Sequence, residues 1–355
     1  TFCEELGRGA YGLVVRVQSN DTKESFAAKI VNKRALKKVR VGRFGNALQS
    51  VKKELAIWQM FKHRHIVLLR EVIDTDESDE LYMISELVDG GPVLDGETEC
   101  TPLTAELTKL YFCQLVTKPR CSQLQPSPND MIEGVDFLHE NKIIHRDIKP
   151  GNLLLKSENG EMVLKLADFG VSHEIENGDD SLRQTSGTAI FNAPEMLTGD
   201  KFHGKPIDVW ACGITLYMFV YGHPPFVAKT MSELYAKILH DPIEYQPTSG
   251  ERVVEPELIN LMQQAQENSF SPRRKPRVLE KDPARRFTIQ QIRARNHELT
   301  NFIEQAHPWA WRDFQVSAIK CVTQPQGRKS SFVDFPKNFS GVASVGKSLR
   351  MLFSR

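Results

Sequence analysis

The chain has 355 residues, 40% of them hydrophobic, which is long enough for two lobes sharing a cleft and is the balance of a soluble globular protein. Lys and Arg number 46 against 45 Asp and Glu, a formal net charge of +1, so no strong field favours nucleic acid or an anionic membrane. Six cysteines with no C-x-x-C pair or framework-like spacing argue against a disulfide scaffold or zinc site and suit reduced thiols in the cytosol or nucleus.

No signal peptide is evident, and the chain starts at Thr1, close to its first motif, so it reads as a fragment. That motif, Gly7-Arg8-Gly9-Ala10-Tyr11-Gly12, lies between two apolar, β-branched stretches. A dinucleotide fingerprint runs from a strand into a helix. Here Val14, Val15 and Val17 continue as a second strand, so Gly7, Gly9 and Gly12 are expected in a hairpin that covers phosphates. Residues 26–31 form a short buried strand carrying one lysine, Lys29. Val51, Leu55, Trp58 and Phe61 recur at helical spacing, with Glu54 beside that stripe. Glu54 is expected to face the Lys29 strand, and the pair would hold α- and β-phosphates; a solvated helix Glu is the alternative.

Farther along, His145-Arg146-Asp147-Ile148-Lys149-Pro150-Gly151-Asn152, Asp168-Phe169-Gly170 and Ala193-Pro194-Glu195 follow in order, the pattern of ATP-dependent phosphoryl transfer. Such transfer demands little covalent work: the protein must align nucleophile and phosphate and neutralise charge. Asp147 would accept the hydrogen bond of a substrate hydroxyl and orient it. Lys149, two residues on, would reach the γ-phosphate. Asn152 and Asp168 offer hard oxygen ligands from two loops, which suits Mg²⁺. The longest apolar run, 209–221, is too short to span a bilayer and is expected as a buried central helix.

With these residues in place, the span from Glu4 to Trp309 resembles the eukaryotic serine/threonine protein kinases. The resemblance implies an α+β bilobal fold, with a small β-rich N-lobe at 1–88, a larger helical C-lobe at 89–311 and a tail at 312–355. Residues 81–93 and 143–150 look like the calcium/calmodulin-dependent protein kinase kinases, whereas 51–54, 111–115, 150–155 and 283–293 are similar to the liver kinase B family. Both families phosphorylate activation loops of energy-sensing kinases. The implied function is therefore an upstream activating kinase of AMP-activated/SNF-type kinases, with ATP and Mg²⁺ as cofactors and a downstream kinase's activation loop as substrate. A pseudokinase or scaffold that binds nucleotide without turnover is the other class, and the implied location is cytoplasmic, with the nucleus as a second site.

The same resemblance implies further roles. Glu86 and Val88 would present hinge backbone groups to adenine, and Val14, Ala27 and Leu154 would sandwich the base. Ser85 falls at the gatekeeper position, where both families usually carry a bulky residue. Trp58, four residues after Glu54, would refill part of the volume that Ser85 leaves or pack elsewhere. Arg146 would ordinarily meet a phosphorylated activation loop, Asp208 would anchor the catalytic loop, and Glu195 would pair with Arg286. In the activation loop, Gln184 occupies the usual phosphothreonine position. Thr185 is then the fallback site beside Ser186, and Thr188 is a hydroxyl bonded near Asp147 and Lys149.

Three polar, proline-containing or polar-rich segments, 116–131, 265–277 and 295–306, interrupt what would otherwise be continuous helices. They read either as retained intron sequence or as genuine surface insertions. The basic stretch Lys33–Arg43 is expected as a solvated loop rather than a docking or nuclear-targeting element. In the tail, Ser330 and Ser331 follow Arg328-Lys329 as phosphoacceptor candidates, and residues 345–355 could form a basic amphipathic helix for calmodulin, disorder being the alternative.

Overall fold

The computed structural model describes residues 1–9, 12–41, 45–94, 96, 98–104, 107–108, 110–112, 134–175, 177–245, 262 and 278–292. The three segments at 116–131, 265–277 and 295–306 and the tail from 312 lie outside the described residues. Backbone contacts group the described chain into two compact units, one of residues 1–48 and 68–87, the other of 49–67 and of those from 88 onward.

The first unit is built on a five-stranded antiparallel sheet. Its strands are β1 (Phe2–Gly9), β2 (Gly12–Gln18), β3 (Ser25–Asn32), β6 (Leu69–Asp74) and β7 (Glu80–Glu86), in the order β1-β2-β3-β7-β6. Short pairs β4 (Arg40–Val41) and β5 (Gly45–Asn46) stand apart from it. Gly12 has no room for a side chain, because a Cβ there would lie 2.2 Å from the Ile30 carbonyl oxygen. Side chains alternate across a strand, so register decides which residues share a face. Val14 pairs with Lys29, Lys29 with Met83, and Ala27 with Ser85, which collects all five on one face. The opposite face gathers Val15, Ala28, Tyr82 and Ile84 into a buried cluster flanked by Leu13, Val17, Phe26, Ile30 and Ile73. Burying each large apolar side chain contributes about 1.5–3 kcal/mol, so this cluster fixes the register.

The basic stretch differs from its expectation as a loop. Lys33–Lys38 forms a short helix, α1, whose start is capped by Asn32 accepting from the Ala35 N–H at 2.8 Å. Two of its charges are paired, Lys33 with Asp74 at 2.6 Å and Arg34 with Asp79 at 3.1 Å. The cap and the burial of Leu36 outweigh the repulsion among its cations.

The longer helix α2 (Ala47–Gln59) buries Val51 and Trp58 of the expected stripe and half-buries Leu55, while Ala47, Leu48 and Ile57 widen the buried face and Phe61 is buried just past the helix end. In the second unit, α3 (Gly134–Glu140) leads into β8 (Ile143–Ile144), which pairs with β11 (His173–Glu174). Between them a hairpin of β9 (Leu153–Glu158) and β10 (Glu161–Leu166) turns at Asn159-Gly160, both with positive φ, the geometry that suits a tight hairpin. β12 (Ser181–Leu182) pairs with β13 (Phe202–His203). α4 (Gly204–Tyr221) is buried along nearly its whole length, as its apolar composition demands, and stops at Gly222, whose φ of 78° ends the helix. α5 (Met231–His240) follows, its first turn capped by the Thr230 hydroxyl. Among the described residues, no helix is long and apolar enough to cross a membrane.

Candidate active site

The loop between β8 and β9 is fastened from below by one carboxylate. Asp208, 1% exposed on α4, accepts from the backbone N–H groups of His145 and Arg146, each at 2.9 Å, and faces His139 Nε2 at 2.8 Å. Arg146 sits at φ 70°, a left-handed conformation that a non-glycine residue adopts only when its surroundings hold it there. Burial depresses the pKa of the fully enclosed His145, leaving a neutral ring. Its Nε2 lies 3.2 Å from the Ala167 carbonyl, which assigns the proton to Nε2. Nδ1 is then free to accept from the Asp147 N–H at 3.3 Å.

Above this base, four polar groups meet at Asp147. Its Oδ1 accepts from the Thr188 N–H at 2.9 Å and the Thr188 hydroxyl at 2.8 Å. Its Oδ2 accepts from Asn152 Nδ2 at 3.0 Å and lies 3.2 Å from Lys149 Nζ. Lys149 Nζ also donates to the Thr188 hydroxyl at 2.7 Å. Burial pushes the Asp147 pKa up, but the Lys149 ammonium and the Thr188 hydrogen bonds outweigh it, so the net shift is downward and the group is an anion at neutral pH. A carboxylate of this kind is suited to orienting a hydroxyl and receiving its proton late, rather than to stripping it off at the outset. Thr188 reaches the loop because Gly187 precedes it at φ 91°, where a Cβ would stand 2.3 Å from the Arg146 carbonyl oxygen.

Asp168 and Asn152 bring oxygen ligands to the same unit. Asn152 commits its Nδ2 hydrogens to the Asp147 carbonyl, at 2.8 Å, and to the Asp147 carboxylate, which leaves Oδ1 as its acceptor. Asp168 sits at φ 65°, with Oδ1 accepting from the Gly170 N–H at 3.2 Å. Among the described residues, no cluster of three or more His, Cys, Asp or Glu side chains could hold a metal by itself. Two oxygen donors without a full protein cage fit Mg²⁺, which keeps waters and takes substrate phosphates as further ligands. Glu54 is 3% exposed, and its Oε2 lies 3.6 Å from where a Gly170 Cβ would be. Phe169, fully buried, is the centre of an aromatic stack, with the Trp58 ring at 6.4 Å and 27° and the His145 ring edge-on at 5.3 Å. Trp58 Nε1 donates to the Val67 carbonyl at 2.6 Å, which fixes the indole in that stack.

This combination of an anchored loop, a lysine-paired aspartate and paired oxygen ligands agrees with a protein kinase domain family model that matches residues 1–297. The chain belongs to the protein kinase family. Among its relatives, the Caenorhabditis elegans calcium/calmodulin-dependent protein kinase kinase is 34% identical over 332 residues, covering 88% of this chain and 52% of that protein. Serine/threonine-protein kinase GRIK2 of Arabidopsis thaliana is 32% identical over 307 residues, 86% of this chain and 63% of the relative. A probable serine/threonine-protein kinase of Dictyostelium discoideum is 33% identical over 299 residues, 82% of this chain and 37% of the relative. The kinase chain thus spans between 37% and 63% of these relatives' lengths.

Glu195 and Arg286 form a two-pronged ion pair at 2.6 and 2.9 Å, and the guanidinium also donates to the carbonyls of Pro206 and Glu280. In the activation segment, Arg146 donates to the Gln184 carbonyl at 2.7 Å, the Thr185 hydroxyl donates to the Met196 carbonyl at 2.9 Å, and the Ser186 hydroxyl is buried without a hydrogen-bond partner. In the first unit, Gly7 and Gly9 lie on β1 and Gly12 opens β2, while Val14, Ala27, Lys29 and Ser85 share one sheet face. Ser85 faces the Ala27 carbonyl at 3.5 Å. Glu86 turns its carboxylate back to the Leu68 N–H at 2.9 Å. In the second unit, Leu154 lies on β9, and Val88 precedes Gly90, which bonds the Leu155 carbonyl. Two contributors escaped sequence reasoning, His139 beside Asp208 and Trp210, whose ring lies 5.1 Å below the Arg286 guanidinium. The closing turn of α3 is the one local signal for His139.

Proposed function

We propose that this chain transfers the γ-phosphoryl group of Mg-ATP to a serine or threonine hydroxyl of a protein. The observation that carries the reading is Asp147, held as an anion between Lys149, Asn152 and Thr188. Bound Mg-ATP supplies the phosphoryl group and the metal charge that neutralises it. Asp147 orients the incoming hydroxyl and receives its proton at Oδ2 or Oδ1. Lys149 offers its ammonium to the transferring phosphate, and Asn152 Oδ1 with the Asp168 carboxylate would hold Mg²⁺. Lys29 and the glycines of β1 and β2 would bind phosphates, while the backbone of Glu86 and Val88 would bind adenine.

Within that activity, the substrate we propose is the activation loop of an AMP-activated/SNF-type kinase. Residues 81–93 and 143–150 support it by their resemblance to kinases of kinases, and the C. elegans relative bears that name. That relative's name also supports calmodulin as a partner, with residues 345–355 as the candidate segment. The test is a radiolabelled transfer assay with purified protein, Mg-ATP and a threonine peptide from such a loop. Transfer abolished by chelating Mg²⁺ is expected. Nucleotide binding without transfer would replace the reading with that of a scaffold.

A further inference from the structure

A helix begins with backbone N–H groups that have no partner within it. In α4 the cap residue His203 makes no capping bond with its side chain, and Pro206, at the third helical position, has no N–H to satisfy. The donors at the first and second positions both go to Asp180, in the activation segment. Gly204 N–H binds its carbonyl at 3.0 Å, and Lys205 N–H binds its Oδ2 at 3.1 Å. Asp180 Oδ1 also accepts from His203 Nδ1 at 2.6 Å. Burial pushes the Asp180 pKa up, but the bonds from His203 and Lys205 outweigh it, so the net shift is downward and the group is an anion at neutral pH. Its neighbour Asp179 is exposed and turns instead to the Ser181 N–H at 2.9 Å.

The same end of α4 supports the catalytic loop. Asp208, about one turn after Gly204, holds the His145 and Arg146 N–H groups. On the other side of Asp180, Ser181 and Leu182 pair with His203 and Phe202, and Leu182 and Phe202 are buried. From Leu182 the chain runs to Thr188, whose N–H and hydroxyl bind Asp147. On the way it is held by Arg146 at the Gln184 carbonyl and by the Met196 carbonyl at the Thr185 hydroxyl. Asp180 thus joins the stretch that carries Thr188 to the helix that carries Asp208.

We propose that Asp180 is a positioning residue for the acceptor side of the site: its carboxylate, in place of a phosphate, clips the activation segment to the start of α4 and keeps Thr188 seated on Asp147. The proposal rests on the kinase reading and adds to it the residue that sets how readily the acceptor peptide binds. With the clip gone, fewer molecules hold the segment in its binding-competent position, and the apparent affinity for the peptide falls by that fraction. Bound peptide draws the segment back, so saturating peptide restores the rate. Lys29, Asn152 and Asp168, assigned to Mg-ATP, lie outside the segment, and the affinity for ATP does not change.

The experiment measures kcat and KM for a threonine peptide, and KM for ATP, on the full chain at a temperature below every variant's melting transition. Asp180→Ala is expected to raise the peptide KM about tenfold, the scale of a lost helix cap, and to leave kcat and the ATP KM at wild-type values. His203→Ala removes one bond of the clip from a side chain 68% exposed, so the fold tolerates it, and a smaller rise in the peptide KM is expected. Thr230→Ala is the control: it removes a cap of the same kind from α5, where the Thr230 hydroxyl accepts from the Glu233 N–H at 3.2 Å, and is expected to lower the melting temperature without moving either KM. A fall in kcat with the peptide KM unmoved in Asp180→Ala would overturn the proposal, because Asp180 would then serve the fold alone. Equal rises in the peptide KM for Asp180→Ala and Thr230→Ala would overturn it too. If Asp180→Ala does not fold, an unmoved peptide KM in His203→Ala overturns the proposal by itself. Wild-type kinetics in both Asp180→Ala and His203→Ala would overturn the clip and leave the kinase reading standing, whereas no transfer by the wild type would overturn both.

Discussion

Thr188→Ala removes one hydroxyl that accepts from Lys149 Nζ at 2.7 Å and donates to Asp147 Oδ1 at 2.8 Å, while the Thr188 N–H keeps its own bond to Asp147 at 2.9 Å. A hydrogen bond to a charged group contributes about 1.5–3 kcal/mol, so if that contribution is lost in the transition state kcat/KM falls roughly 10- to 150-fold. Thr188→Ser keeps the hydroxyl and is expected to recover most of the rate. The pH dependence gives an independent check. Thr188 is one of the groups that hold the Asp147 pKa down. Its loss moves that pKa up, so the acid limb of the kcat/KM profile shifts to higher pH in the alanine variant. The same sign applies to stability: the Asp147 contribution is present above its unfolded-chain pKa and is lost as pH falls through the lower folded value. In the alanine variant the contribution is smaller, and its loss, which starts at the same unfolded-chain pKa, is complete at a higher pH. Initial rates on a threonine peptide across the acid range measure these effects. An alanine variant with wild-type kcat/KM and an unmoved limb would refute the reasoning, as would a serine variant equally impaired.

Glu195→Ala leaves the Arg286 guanidinium buried, with a side chain 0% exposed, and breaking such a pair costs about 3–5 kcal/mol. A clear fall in the urea midpoint is expected, and an unchanged midpoint would contradict the role. Because Arg146 already donates to the Gln184 carbonyl, phosphatase-treated protein is expected to keep its peptide activity. Complete loss with no phosphate on Thr185 would count against that. Ser85→Met is expected to weaken an inhibitor carrying a bulky group past the hinge by about 1–3 kcal/mol and to spare its smaller analogue; equal binding of both to wild type and variant would show that Ser85 does not border that space.

Elements with a strong local period were legible in the sequence. The valines after Gly12 marked β2, and the apolar spacing from Val51 to Trp58 marked α2. The run at 209–221 marked most of α4, whose start at Gly204 lies earlier because its first turn is less apolar although Gly204, Ile207 and Asp208 are also buried. The pairings β8–β11 and β12–β13 were not legible, since two-residue strands are too short to carry a period and form only when the fold brings them together. α1 was missed because one buried leucine, Leu36, leaves no amphipathic pattern to read; Asn32, its cap, was the available signal. Chemistry-bearing residues stood out because phosphoryl transfer needs those side chains in that order. Their supports did not. His139 carries no motif, and its place against Asp208 spans 69 residues. Trp210 reads as one more apolar residue of a buried helix until Arg286 is placed over its ring.

The most direct test of phosphoryl transfer by this site is the rate of γ-phosphoryl transfer from Mg-ATP to a threonine peptide, measured for the wild type, Asp168→Asn and Lys29→Met. Transfer by the wild type, and its loss in both variants with circular dichroism and melting temperature unchanged, is the expected result. Near-normal turnover in either variant, or none in the wild type, would contradict it.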